Sequence, residues 1–327
     1  MAAKNEKVRS MKSAKVGEAI FVHLMLLYPL VQFAICYVAV NINSILLAFQ
    51  KYETYMNAAG RLVGEFKFIG FDKFFSNFTG FFTDLHAKGI LGTLFKNSIV
   101  TYLVSTIIGL PLNIVFAYVI YKKVPCSGFF QVMLYLPQMV SSVVISLMFQ
   151  CFISKSFPIF MVKILKVSSF PLNPLKDMGM GFGMNLFYAI WAGFGTQLIL
   201  YAGAMARIPD SLIEFGELEG INMLKEFWFV VVPMVYSTIT VFLVTGVAGI
   251  FTNQLALYNF YGGGAPETFQ TLGYYIYVQV IGSGDAQGLK QQFPTASAAG
   301  LMFTLVAAPV TLVARWALEK YGPNVEF

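Results

Sequence analysis

The residues of this chain whose types and spacing carry chemistry gather between two prolines, Pro209 and Pro233. Asp210, Glu214, Glu217, Glu219 and Glu226 place five carboxylates there, in a protein with only 12% charged residues. Apolar Leu212, Phe215, Leu218 and Ile221 are interspersed with Gly216 and Gly220. The chemistry this mixture suits is recognition: a charged, folded knob on an aqueous face that engages a partner. Ser211 and Glu214 have the S-x-x-E spacing of a capping box, which predicts a helix starting at that point. Gly220 predicts the left-handed end of that helix, and Asn222 predicts the cap of the next one. Leu218 and Ile221, four and seven residues after Glu214, predict an apolar stripe that docks.

Catalysis has no comparable support. The chain has two histidines, His23 and His86, no paired carboxylates within an apolar run, and no G-x-x-x-x-G-K-[ST] phosphate loop. Cys36, Cys126 and Cys151 lack metal-ligand spacing and are read as apolar fillers, so neither metal nor cofactor is expected. The net charge of +6 does not point to nucleic acid, because the cations sit at the ends of apolar runs instead of in one patch. The chain is not an enzyme by itself on this reading.

The elements that must position the knob are membrane spans. Of 327 residues 57% are hydrophobic, and the mean hydropathy is +0.68. A soluble domain carries about 25% charged residues, roughly twice the share here. A span needs about 20 apolar residues. Six runs qualify: Ala19–Phe49, Ser98–Tyr121, Phe129–Phe152, Met184–Ala206, Phe229–Asn253 and Ala296–Ala314. The fold class is therefore all-α, a polytopic membrane protein of six transmembrane helices with the knob in one connecting loop. Pro111, Pro137 and Pro233 fall in or near spans, where kinks are tolerated if neighbours satisfy the freed carbonyls.

An even span number puts both ends on one side. Lys and Arg are equally numerous in the two alternating sets of loops, but twice as dense in the set that includes both termini and the knob. The basic tail from Lys4 to Lys15 precedes the first span, which usually dominates orientation. Both termini and the knob are therefore placed in the cytoplasm. The first apolar run is too long for a signal-peptide core and is read as a retained helix. On the outer side, Phe157–Pro171 is read as an interfacial or partner-packing helix, and Tyr261–Pro266 as a flexible glycine turn. Apart from His23 and the boundary residue Glu18, no ionisable acid, base or histidine lies within a span. Ion-coupled carriers usually need such groups, so energy for any transport would come from a partner.

These residues resemble the inner-membrane permease subunits of ATP-binding-cassette importers, in the carbohydrate group of the MalF type. The family's last cytoplasmic loop reads E-A-A-x-x-D-G-A, five residues, then F-x-x-I-x-x-P. Here Glu214 opens the pattern, Gly220 lies six residues on, and Phe227, Val230 and Pro233 close it. Phe215-Gly216 replace the two alanines, Glu219 the aspartate and Ile221 the last alanine. Further similar stretches are Phe95-Lys96-Asn97-Ser98, Tyr135-Leu136-Pro137 with Val143–Ile145, and Leu200–Gly203 leading to Ile208-Pro209. Phe251–Gln254 with Gly262–Pro266, Thr271–Tyr277 and the Arg315…Glu319-Lys320 ending complete the set, and the resemblance covers Val16 to Lys320.

The resemblance implies a division into a basic cytoplasmic tail (1–15), a first helix and extracytoplasmic loop (16–94), a core permease domain of five helices (95–320) and a short cytoplasmic tail (321–327). It implies that Glu214, Phe215, Gly216, Glu217, Leu218, Glu219, Gly220 and Ile221 form a helix that couples to an ATPase. The implied partners are a second permease subunit, two cytoplasmic ATPase subunits or domains, an extracytoplasmic solute-binding protein, the lipid bilayer and a carbohydrate substrate, in a bacterial cytoplasmic membrane. Sugars present apolar ring faces and hydroxyl edges, which suit aromatic and amide side chains in a largely apolar cavity. Asn253 is carried over from a family asparagine near the sugar, with Thr252 and Gln254 flanking it. Gln197, Trp191 and Asn185 in the fourth span and Gln138 in the third are compatible by type, while amides inside bundles also serve simply to join helices. The alternative reading is a non-transporting membrane scaffold or assembly subunit that has kept the loop.

Overall fold

The computed structural model describes residues 20–57, 62–167, 170–281 and 286–323. The basic tail, Glu18 and residues 324–327 lie outside the described residues. Helix α1 (Ile20–Leu47) is followed by strands β1 (Gln50–Met56) and β2 (Leu62–Phe68), then α2 (Phe71–Ala87) and α3 (Leu91–Tyr121). Next come α4 (Ser127–Met139), α5 (Ser142–Lys163), α6 (Gly181–Met205), α7 (Asp210–Leu218), α8 (Met223–Met234) and α9 (Tyr236–Gly249). The chain closes with α10 (Leu257–Tyr261), α11 (Leu272–Ile281) and α12 (Ala286–Tyr321). Five of these helices are long and apolar enough to cross a membrane, and the bent pair α8–α9 makes a sixth.

Two of the six expected spans are broken, each just after a proline at which the sequence allows a kink. The run Phe129–Phe152 holds α4, an extended residue at Val140 (φ −89°, ψ 145°) and the first half of α5. Pro137 lies inside α4 and lacks the N–H that would continue its ladder. The crossing helix is therefore α5, which runs on to Lys163 and absorbs the first part, Phe157 to Lys163, of the segment read as interfacial. The run Phe229–Asn253 is bent by 66° between α8 and α9. Pro233 precedes that bend, with Val235 (φ −92°, ψ 7°) as the hinge residue. The two-stranded antiparallel hairpin, registered from Gln50↔Phe68 to Met56↔Leu62, was not anticipated.

Irregular backbone packed among apolar helices needs internal partners, and the loop 262–271 finds them. Asn97 Nδ2 donates to the carbonyls of Thr268 and Gln270, both at 2.9 Å. Ser98 Oγ accepts from Leu272 N–H at 3.0 Å. Tyr274 donates its hydroxyl to the Gly262 carbonyl (2.7 Å) and accepts from Ala265 N–H (3.0 Å). Gln270 Nε2 donates to the Ala265 carbonyl at 2.7 Å. The glycine turn is thus pinned at both ends, contrary to the flexible turn expected from its composition. The three cysteines are exposed and unpaired, so they fill no core of this chain.

Gly273 sits where α11 meets the end of α9. A Cβ there would lie 2.5 Å from the Thr252 carbonyl carbon, 2.6 Å from its oxygen and 2.8 Å from the Asn253 oxygen. These are backbone atoms that cannot swing aside. Gly273→Ala should destabilise the protein by about 1–3 kcal/mol, read as a lower melting midpoint in detergent. An unchanged midpoint would contradict the close approach of α11.

Candidate functional site

Helix α7 is a short amphipathic element held at both ends by backbone geometry. Its N-cap is Pro209 (φ −60°, ψ 131°), and no side chain caps it. The capping box predicted from Ser211 and Glu214 does not form. The helix begins at Asp210, so Ser211 already has helical backbone and its hydroxyl cannot reach the N–H that an N-cap residue serves. The C-terminal end agrees with the sequence reading. Gly220 is left-handed at φ +72°. Ile221 N–H donates to the Gly216 carbonyl and Gly220 N–H to the Glu217 carbonyl, each at 3.0 Å. That pair of bonds is a Schellman closure. Asn222 then caps α8, its Oδ1 accepting from Lys225 N–H at 2.9 Å.

The faces of α7 differ sharply. Gly216 is buried and Ile213 half-buried against the bundle, whereas Leu212, Phe215 (60% exposed) and Leu218 (88% exposed) point outward. Ile221 does not share the outward face expected of it: the Schellman closure turns it back over Gly216. The outward apolar face consists instead of Leu212, Phe215 and Leu218, with exposed Asp210, Glu214, Glu217 and Glu219 around it. Leu224 and Trp228 on α8 extend the exposed apolar surface beyond the Gly220 turn.

The residues flanking this knob are anchored. Ile208 before α7 and Phe227 after it belong to one buried cluster with Ala117, Tyr118, Leu198, Tyr201, Met205 and Val231. Tyr118 donates its hydroxyl to the Met223 carbonyl at 3.2 Å, and its ring centroid lies 5.1 Å from that of Phe227. Lys122, just past α3, places its Nζ 2.9 Å from Glu226 Oε2 and 3.9 Å from Glu217 Oε1. The sequence reading missed the Lys122–Glu226 pair. The available signal was Glu226 itself, an acid abutting the charge-free run that starts at Phe227, where burial demands a cation.

The seven residues proposed for a substrate path do not form one site. Thr252 and Gln254 line a groove of about 720 Å³ between the end of α9, α11 and α12, together with Phe251, Tyr277, Phe303, Thr304 and Thr311. Asn253 is exposed beside it. Its Oδ1 accepts from Leu255 N–H (2.8 Å) and its carbonyl accepts from Thr271 Oγ1 (2.7 Å), while its Nδ2 has no partner among the described residues. Of the other four, Asn185, Trp191 and Gln197 lie on α6 and Gln138 on α4. Gln138 packs its stem over Gly195. Trp191 stacks on Phe149 at 6.0 Å between ring centroids. Asn185 is fully buried and donates to the Gly181 carbonyl (2.9 Å) and the Tyr261 hydroxyl (3.2 Å). Gln197 keeps a buried Oε1 without a partner among the described residues. Among the described residues no three His, Cys, Asp or Glu come together to hold a metal.

Residues 109–326 match the family described as the binding-protein-dependent transport system inner membrane component. The galactooligosaccharides transport system permease protein GanP of Bacillus subtilis is 27% identical over 70% of this chain and 54% of its own length. The polygalacturonan/rhamnogalacturonan transport system permease protein YteP of the same organism is 23% identical over 92% of this chain and 88% of its own. The maltose/maltodextrin permease protein MalF of Vibrio parahaemolyticus is 28% identical over 71% of this chain and 45% of its own. The chain thus spans about half the length of GanP and MalF. A chain in the crystal structure of a bacterial ABC transporter involved in import of the acidic polysaccharide alginate shares the fold. Its TM-score is 0.71 at 21% identity, over 94% of this chain and 98% of that one.

The Schellman closure makes a direct prediction. Gly220→Val places a β-branched residue at φ +72°, at a cost of about 1–2 kcal/mol. Limited proteolysis within residues 218–222 should accelerate by about five- to thirtyfold, and an unchanged cleavage rate would contradict the left-handed turn.

Proposed function

The chain belongs to the family of binding-protein-dependent transport system inner membrane components, and on that premise we propose that it is the permease subunit of an ATP-driven importer that passes an oligosaccharide across the cytoplasmic membrane. The observation that carries the reading is α7: an exposed apolar face of Leu212, Phe215 and Leu218, rimmed by carboxylates and anchored at both flanks. A bare face on a rigid mount suits a helix that seats in another protein. The partner is a cytoplasmic ATPase, two copies of which serve this chain and a second permease subunit. ATP is hydrolysed there, because this chain has no phosphate loop of its own. Residues 95–320 form the core permease domain, and both termini face the cytoplasm with α7. A binding protein delivers the sugar on the opposite side.

The groove between α9, α11 and α12 supports carbohydrate as cargo. Its wall joins the aromatic rings of Phe251, Tyr277 and Phe303 to the uncharged polar groups of Thr252, Gln254, Thr304 and Thr311. Rings stack on the apolar faces of a sugar while amides and hydroxyls meet its hydroxyl edges. Asn253, with its free Nδ2 beside that groove, is the position from which an amide would reach the cargo. Trp191, Asn185 and Gln138 serve helix packing in this arrangement, as their contacts suggest.

Uptake of labelled oligosaccharide by cells expressing the whole system should survive collapse of the proton and sodium gradients and stop on ATP depletion. Uptake that follows an ion gradient, or none for any sugar tested, would overturn the transporter reading. The coupling face has its own test. Phe215→Asp with Leu218→Asp should weaken ATPase association by about 2 kcal/mol or more, roughly thirtyfold in affinity. Full recovery of the ATPase with this variant would remove α7 from the interface.

A further inference from the structure

Four ion pairs are formed among the described residues, and only those of Lys122 join segments distant in sequence. Lys122 is 23% exposed and sits between two carboxylates of different character. Glu226 on α8 is 5% exposed, fixed in the cluster that Phe227 enters, and holds Lys122 at 2.9 Å. Glu217 on α7 is mostly exposed and stands one ångström farther off, at 3.9 Å. The first contact is locked by burial. The second changes with any displacement of α7 relative to the end of α3.

We infer that Lys122 is a positioning residue that ties the coupling helix α7 to α3, so that movement of α7 is passed into the helix whose far end holds the loop 262–271 through Asn97 and Ser98. This rests on the transporter reading above. The Glu226 carboxylate keeps the lysine in place, because its buried charge pairs with no other cation among the described residues. Its second oxygen, Oε1, has no hydrogen-bond partner among the described residues; the Tyr118 hydroxyl faces the carboxylate, and Lys122 is the cation paired with it. Glu217 reads the position of α7: a shift toward α3 tightens its contact without breaking the Glu226 pair. Tyr118, one helical turn before Lys122, adds a bond to the Met223 carbonyl that fixes the start of α8 against the same end of α3.

Removing Lys122 alone strands a buried carboxylate and risks misfolding, so the informative variant replaces both members. Lys122→Met with Glu226→Leu exchanges the buried pair for apolar side chains, a change that commonly leaves stability intact or improved. In the complete complex this variant should melt as the wild type does, retain its ATPase subunits and hydrolyse ATP at the basal rate. The sugar taken up per ATP should fall by about fivefold, the factor for one half-exposed ion pair. Lys122→Arg, which keeps the charge, should retain wild-type coupling. Wild-type uptake per ATP in the Met/Leu variant would overturn the inference and leave the pair with a purely structural role. Loss of the ATPase subunits from that variant would overturn it as well, by making the pair an assembly element. A wild-type complex that shows no ATP-driven uptake is a separate outcome and removes the transporter reading itself.

Discussion

Ile208 and Phe227 leave the two ends of the polar segment and enter the same buried cluster, where they meet side chains of α3, α6 and α8. Everything proposed for this protein depends on that double anchorage. A charged loop held at one end would move independently of the bundle, and nothing that bound it would act on the spans. Held at both ends, α7 can shift only if the ends of α3, α6 and α8 shift too. The Schellman closure at Gly220 and the Asn222 cap shorten the path between the anchors, and the Lys122 pair adds a charged strut on the α3 side.

The bundle itself is governed by the need to satisfy backbone groups away from water. Its helices break at Val140 and at Val235, and the chain is irregular from Ile250 to Thr271 around α10. In the last of these stretches, side chains take up the freed groups, as Asn97, Ser98, Asn253, Thr271 and Tyr274 do around α11. The polar residues inside the bundle therefore divide by task. Asn97 Nδ2 and Asn185 Nδ2 are committed to joining elements, whereas Asn185 Oδ1, Gln197 Oε1 and Asn253 Nδ2 have no partner among the described residues and keep hydrogen-bonding capacity in reserve. Helix α1 stands apart, exposed along nearly its whole length, and only its last turns meet α12.

Much of this was legible in the sequence, for identifiable reasons. Gly220 and Asn222 were readable because their conformational preferences are local and strong. The spans of α1, α3, α6 and α12 were readable because hydropathy alone sets them. The capping box failed because Pro209 already supplies an extended residue at the helix start, which leaves Ser211 inside the first turn. The breaks after Pro137 and Pro233 were noted as possible kinks, but their angles depend on which neighbours accept the freed carbonyls, and that is tertiary information. Ile221 was assigned to the docking face by helical spacing, which no longer applies once the chain reverses at Gly220. The Lys122–Glu226 pair joins residues about a hundred positions apart, and no local pattern links them.

The central claim is that the bare face of α7 is covered by a cytoplasmic ATPase. The most direct measurement is photocrosslinking in intact cells from a benzophenone amino acid placed at Leu218, the most exposed apolar position of that face. A single adduct whose second component is identified by mass as an ATP-binding subunit is the expected result. An adduct with lipid, with an extracytoplasmic protein or with another copy of this chain would contradict the assignment of α7 as the coupling helix.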